Sequence, residues 1–167
     1  MYRPCYITGN SMNPQYMNED VVLVNTRYKT LVKGDIVVIK TPPNTNIQSP
    51  YIIKRVIATG KDNVFVYKGR LYVNSKPSKY LYVGHNSDIA PLYIPKGHIW
   101  VLGDNLKHSR DSRIFGTIPV STVYGKVVSK VDKNLLKSTP KGYKPKSVKD
   151  AFNMVKFGIY HELGLDK

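Results

Sequence analysis

Short runs of Val, Ile and Tyr, each cut off by Gly, Pro, Asn or Asp, leave this chain little alternative to a β-sheet domain. Segments 20–24, 34–40, 51–59, 64–67, 71–73, 99–102 and 123–131 hold these residues, which lose little rotamer freedom in an extended backbone and pack well on a pleated surface. Lys33-Gly34-Asp35 and Tyr67-Lys68-Gly69-Arg70 predict turns between them, the second at a hairpin tip. Stretch 41–50 carries Pro42, Pro43 and Pro50; it fits neither a helix nor a central strand and is a loop. Residues 80–95 read as a second irregular excursion.

The end of the chain has a different character. The expected organisation is a β-domain over 1–132, a solvated linker over 133–146 rich in Lys, Pro and Gly, and a helical tail over 147–167. Ser147-Val148-Lys149-Asp150 resembles a capping box. Val148, Ala151, Phe152, Val155 and Ile159 recur at helical spacing before Gly164 stops the pattern. Such a basic amphipathic helix either packs its apolar stripe on the β-domain or docks on a membrane or a partner.

Composition narrows the function classes. The chain has 167 residues, with 26 Lys and Arg against 11 Asp and Glu, a formal charge of +15. That excess attracts nucleic acid, anionic lipid or acidic partners without choosing among them. A single cysteine, Cys5, excludes an internal disulfide and an all-cysteine metal site. No apolar run approaches the roughly 18 residues needed to span a bilayer, and the start at Met1 has no apolar signal core.

Three segments carry chemistry. Gly9-Asn10-Ser11-Met12-Asn13-Pro14 puts a serine in a tight, non-helical backbone, where its hydroxyl and its N–H can both face a ligand; most such turns are only turns. In Tyr51-Ile52-Ile53-Lys54-Arg55-Val56-Ile57-Ala58, strand alternation sets Lys54 on one face with Ile52, Val56 and Ala58, and Arg55 on the other with Ile53 and Ile57. Two readings stay open. Lys54 snorkels outward from an edge strand, or it is desolvated, which lowers its pKa until the neutral amine can take a proton from a serine hydroxyl. The third segment runs from Gly103-Asp104-Asn105 through Ser109-Arg110-Asp111-Ser112-Arg113 to Gly116. By composition it is a surface loop, yet its density of oriented polar groups also suits a rigid hydrogen-bonded support under a site.

In order and spacing, these segments resemble the Ser-Met-x-Pro, Lys-Arg-Val-Ile and Gly-Asp-Asn…Ser-x-Asp-Ser-Arg-x-x-Gly boxes of type I signal peptidases, with Val32-Lys33-Gly34-Asp35-Ile36-Val37-Val38 fitting the intervening strand. Gly97-His98-Ile99-Trp100-Val101-Leu102 is most similar to the mitochondrial inner-membrane branch, while Tyr72-Val73-Asn74 is similar to bacterial members. The resemblance implies a mostly β, antiparallel signal-peptidase-like domain and a serine endopeptidase with a Ser–Lys dyad. Ser11 would be the nucleophile and Lys54 the general base, oriented by Ser109. The Ser11 N–H would donate to the oxyanion. Arg55 would pair with Asp104 and Asp111 with Arg113 as supports, and Met12 would line the substrate cleft. Where some members place a second oxyanion serine this chain has Gly9, and Asn10 is the available substitute.

The resemblance also implies substrates, partners and place. The substrates are extended presequence peptides with small residues before the cut, and neither a metal nor a cofactor is involved. The expected setting is a membrane surface, either the mitochondrial inner membrane facing the intermembrane space or the outer face of a bacterial cytoplasmic membrane. A related peptidase subunit is a possible partner, and an upstream anchor or that partner would supply the attachment. Rival readings are weaker. For a histidine-based triad His85, His98, His108 and His161 are available, but no nucleophile-elbow pattern Gly-x-Ser-x-Gly is present, and the resemblance makes His98 and His108 bystanders. A self-cleaving repressor domain would bring a helix-turn-helix. Nucleic acid is not expected, because many of the lysines cluster after residue 132 instead of interleaving with aromatics on strands. A catalytically inactive subunit would not need both Ser11 and Lys54.

Overall fold

Residues 1–82 and 88–131 are described by a computed structural model. Its strands are β1 (Tyr2–Tyr6), β2 (Val21–Asn25), β3 (Ile36–Lys40), β4 (Tyr51–Thr59), β5 (Asn63–Tyr67), β6 (Arg70–Val73), β7 (Lys76–Tyr82), β8 (Ile89–Tyr93), β9 (His98–Leu102), β10 (Ile118–Pro119) and β11 (Val123–Val131). A short helix, α1 (Ser112–Phe115), and two 3₁₀ turns at Leu106–His108 and Val120–Thr122 accompany them. A larger sheet has the order β1-β2-β11-β3-β4-β9-β10 and a smaller one β7-β6-β5-β8. Every pairing given for them is antiparallel. The mostly β, antiparallel expectation is met. The linker over 133–146 and the helical tail over 147–167 lie outside the described residues. No helix among the described residues is long and apolar enough to cross a membrane.

β2, β3 and β9 are apolar along nearly their whole length because the larger sheet is covered on both faces. Ile36 and Val38 of β3 pack with Ile7, Met12, Tyr16, Val22 and Val24. Val37 and Ile39 pack on the other side with Ile52, Val56, Ile99 and Val101. A third cluster, with Trp100, Ile57, Ala58, Val64, Val66 and Leu71, joins β4 and β9 to the inner face of the smaller sheet. These faces alternate at period two, so a strand covered twice shows no polar alternation.

The turns follow their residues. Tyr67 and Arg70 pair across the β5–β6 hairpin, whose two tip residues, Lys68 and Gly69, both have positive φ, 48° and 72°. This is the backbone hand that matches strand twist. The 41–50 loop lies between β3 and β4 as expected.

Two expectations need correction. Residues 80–95 are not wholly irregular, since β7 runs to Tyr82 and β8 spans Ile89–Tyr93. And β4 is no edge strand: it lies between β3 and β9, so the snorkelling reading of Lys54 fails. A bulge between Val56 and Ala58 also breaks the predicted alternation. Ala58 packs in the third cluster with Ile57, apart from Ile52 and Val56. Bulges often sit beside sites because they re-aim side chains.

Candidate active site

Ser11 opens a turn that its neighbours pin from below. Gly9 has φ 90°, a conformation that strains other residues, and its N–H donates to Asn18 Oδ1 at 2.8 Å. The N–H of Tyr16 then donates to the Met12 carbonyl at 2.9 Å, folding the segment back. Met12 is 1% exposed and packs in the core with Ile7, Tyr16, Val22 and Val24. It does not line the cleft, contrary to expectation; a long apolar side chain one residue after Ser11 anchors the turn from beneath.

Lys54 comes from the middle of β4 and is 3% exposed. Its Nζ donates to Ser11 Oγ at 2.9 Å and to the Ile53 carbonyl at 2.7 Å. Burial pushes the amine down from 10.5 to about 8, while the carboxylates of Asp111 and Asp104 oppose that shift. A lysine amine at this value is partly neutral near neutral pH, and the oxygen beside it is a hydroxyl whose proton a neutral amine can accept.

Arg55, the next residue on the strand, turns the opposite way. Its Nε and Nη2 donate to the two carboxylate oxygens of Asp104 at 2.7 and 2.6 Å, and its Nη1 to the Gly34 carbonyl at 2.9 Å. A planar fork on a carboxylate fixes both partners in angle as well as distance. Asp111 is fully buried. It accepts from Arg113 Nε at 2.8 Å, from Arg113 Nη2 at 3.0 Å and from the Gly103 N–H at 3.0 Å. Arg113 Nη2 also ties down the carbonyls of Leu106 and Ser109.

Ser109 departs from expectation. Its Oγ is buried and has no hydrogen-bond partner, and Lys54 Nζ uses Ser11 and Ile53 instead. The hydroxyl is directed at Gly103, where an added Cβ would collide with the Ser109 side chain and stand 2.5 Å from the Ser11 carbonyl oxygen.

Three further residues hold the site without having been singled out. Gly103, just after β9, lets the chain pass close to the Ser11 carbonyl. The Asn105 N–H donates to the Ser11 carbonyl at 2.9 Å, and its Nδ2 to the Asn10 carbonyl at 3.1 Å. Ser112 Oγ accepts from the Val101 N–H at 2.9 Å. The sequence signal was the phrase Gly103-Asp104-Asn105 itself: a residue without a side chain where backbones cross, followed by two polar groups.

Ser11 and Lys54 open on a groove of about 830 Å³. Its lining includes the chain from Pro4 to Asn10 together with Ile47, Ser49 and Ile52. His108 and Arg110 lie at its lining, and Arg110 Nη1 donates to the Thr45 carbonyl at 2.9 Å, tethering the 41–50 loop. His98 stands apart, with Nδ1 3.3 Å from the Lys96 carbonyl. Cys5 also faces the groove, and burial pushes its thiol up to about 11, leaving it protonated and unreactive near neutral pH.

A family described as "Signal peptidase, peptidase S26" matches residues 1–131. Mitochondrial inner membrane protease subunit 1 of Homo sapiens is 32% identical over 146 residues, spanning 82% of this chain and 76% of that protein. Signal peptidase IB of Staphylococcus aureus (strain COL) is 34% identical over 147 residues, spanning 74% of each. A crystal structure of a signal peptidase I from Enterococcus faecalis V583 superposes with a TM-score of 0.49 at 26% identity, covering 60% of this chain and 98% of that one.

Proposed function

The chain belongs to the signal peptidase family, peptidase S26, and from that premise we propose that it cleaves signal or sorting presequences by a Ser11–Lys54 dyad. The observation that carries this reading is the 2.9 Å separation of Lys54 Nζ and Ser11 Oγ around an amine whose pKa burial has brought down to about 8.

The neutral Lys54 amine removes the Ser11 proton as Oγ attacks the scissile carbonyl, and the ammonium returns that proton to the departing amine. The Ile53 carbonyl aims Nζ, since it accepts one of its hydrogens at 2.7 Å. Developing negative charge falls to the Ser11 N–H. Asn10, on the groove lining beside it, is the side chain available to add a second donor where Gly9 has none. Arg55–Asp104 and Asp111–Arg113 act as supports: each pair clamps a backbone that would otherwise let Ser11 and Lys54 separate. Ser109 would orient the base through its hydroxyl, which has no hydrogen-bond partner in the described structure.

The groove suits an extended peptide with small residues before the cut, its backbone running beside Pro4 to Asn10. The relative named as a subunit of a mitochondrial inner membrane protease supports two further proposals. The first is action at a membrane, the mitochondrial inner membrane or the equivalent bacterial surface. The second is pairing with a related peptidase subunit. The test is cleavage of a presequence peptide by Ser11→Ala, Lys54→Ala and Lys54→Arg proteins that still melt cooperatively. All three should be inactive, arginine included because a guanidinium does not deprotonate; turnover by the Ser11→Ala protein rejects the dyad.

A further inference from the structure

The smaller sheet buries one face on Trp100 and Leu102 and turns the other outward. Tyr67 and Tyr93 are 53% and 60% exposed. Phe65 and Tyr72, cross-strand partners in β5 and β6, stack with ring centroids 4.8 Å apart and planes inclined by 3°. Tyr93 pairs with Asn63, two positions before Phe65, so by alternation it shares that face. Arg70 lies directly opposite Tyr67, and Lys68 holds its Nζ 5.3 Å from the centroid of the Tyr67 ring. Between residues 63 and 93 the sequence has Lys68, Arg70, Lys76 and Lys79 against the single acid Asp88.

We propose that this aromatic and basic face docks the protein on an anionic lipid surface, a proposal that rests on the membrane-acting peptidase reading above. Exposed tyrosines combine an apolar ring with a hydroxyl that stays wet, the side chain that settles at the level of lipid headgroups. Lys68 and Arg70 beside them meet the surface potential of anionic lipid, which attracts each basic group by roughly 1 kcal/mol. The same charges disfavour a second copy of this chain, since a two-fold pairing of the face sets like charges together. A single-stranded nucleic acid would use aromatic rings as a stacking platform within a basic groove that follows its backbone. Here Lys68 and Arg70 cluster at the β5–β6 hairpin end beside Tyr67, an arrangement suited to a flat charged surface more than to a strand threaded between the rings.

The experiment is co-sedimentation of the full chain with phosphatidylcholine vesicles, with and without one third cardiolipin. A binding assay with a single-stranded oligonucleotide runs in parallel. The parent should bind the anionic vesicles, more weakly as salt is added. Arg70→Ser should weaken that binding roughly fivefold, the factor expected for one basic group near the surface. The double variant Tyr67→Ser, Tyr93→Ser should weaken it at least as much. Both variants should keep the parent's melting temperature and its rate on a short soluble peptide. Vesicle binding unchanged in both variants, or absent in the parent, overturns the proposal. Oligonucleotide binding lost in the same variants reassigns the face to nucleic acid. If the parent fails to cleave the soluble peptide, the peptidase reading fails separately, and the vesicle result still reports on the face.

Discussion

Lys54 and Ser11 stand 43 positions apart in the chain and 2.9 Å apart in space, and the lysine reaches that place by losing almost all its water. Its pKa of about 8 sets the working range of the proposed dyad. The rate constant kcat/KM for a presequence peptide should rise with pH through about 8 and level off above it, since the free enzyme's base must be neutral to act. A profile that climbs only near 10 would mean that Lys54 keeps its proton as an exposed lysine does.

The same burial makes Lys54 a liability to the fold, with a definite sign. The folded-state pKa lies below the unfolded value of 10.5. Between about 8 and 10.5 the unfolded chain therefore holds a proton that the native state has released, and stability rises with pH across that window. Below it the full cost is present, roughly 3 kcal/mol on the scale of 1.36 kcal/mol per pH unit. Lys54→Met, similar in length and uncharged, should unfold at higher urea than the parent at pH 7 and lose that advantage towards pH 10.5. Equal pH dependence in the two proteins would show that the lysine is not desolvated.

Asp111 and Arg113 should behave as one unit. Either single alanine variant leaves a buried or half-buried charge without its partner, a loss of about 3–5 kcal/mol for pairs of this kind. The double variant should cost less than the sum of the two, by roughly 0.5–3 kcal/mol. Urea unfolding of all four proteins gives the coupling, and strict additivity would mean that the pair does not act as a clamp.

Gly103→Ala tests the crossing under Ser11. Its Cβ would overlap the Ser109 side chain and press on the Ser11 carbonyl oxygen, overpacking that typically costs about 1–3 kcal/mol. Because that carbonyl also accepts from Asn105, kcat should fall along with stability. Adding Ser109→Ala should recover part of the stability, as it removes the atoms nearest the new methyl; no recovery would place the strain elsewhere.

Ser109→Ala alone should not lower the melting temperature. The hydroxyl it deletes is buried and bonded to nothing in the described structure, so its removal relieves a desolvated polar group instead of breaking a bond. A clear drop would reveal a hydrogen bond that the resting geometry lacks.

Legibility divides along a simple line. The strands read from sequence, β2, β3, β4, β5, β6, β9 and β11, are those with a neighbour on each side, whereas β1, β7, β8 and β10 are the outer strands of the two sheets. Inner strands must be apolar and donate along both edges, so they announce themselves. Each outer strand contains a proline: Pro4, Pro77, Pro91 and Pro119. Proline cannot donate to a ladder and is confined mostly to edges, and in the sequence it reads as a loop. At the site, Ser11, Lys54 and the two ion pairs were legible through their motif. The inward course of Met12 and the missing bond to Ser109 were not, because both depend on how three distant segments cross at Gly103.

Those four prolines bear on how the molecule behaves in company. A free sheet border is an invitation to any extended chain to add itself. With a proline in each outer strand among the described residues, the donor row of every such border has a gap, and an incoming strand finds no unbroken ladder to extend. The same gaps hinder one copy from zipping onto the next.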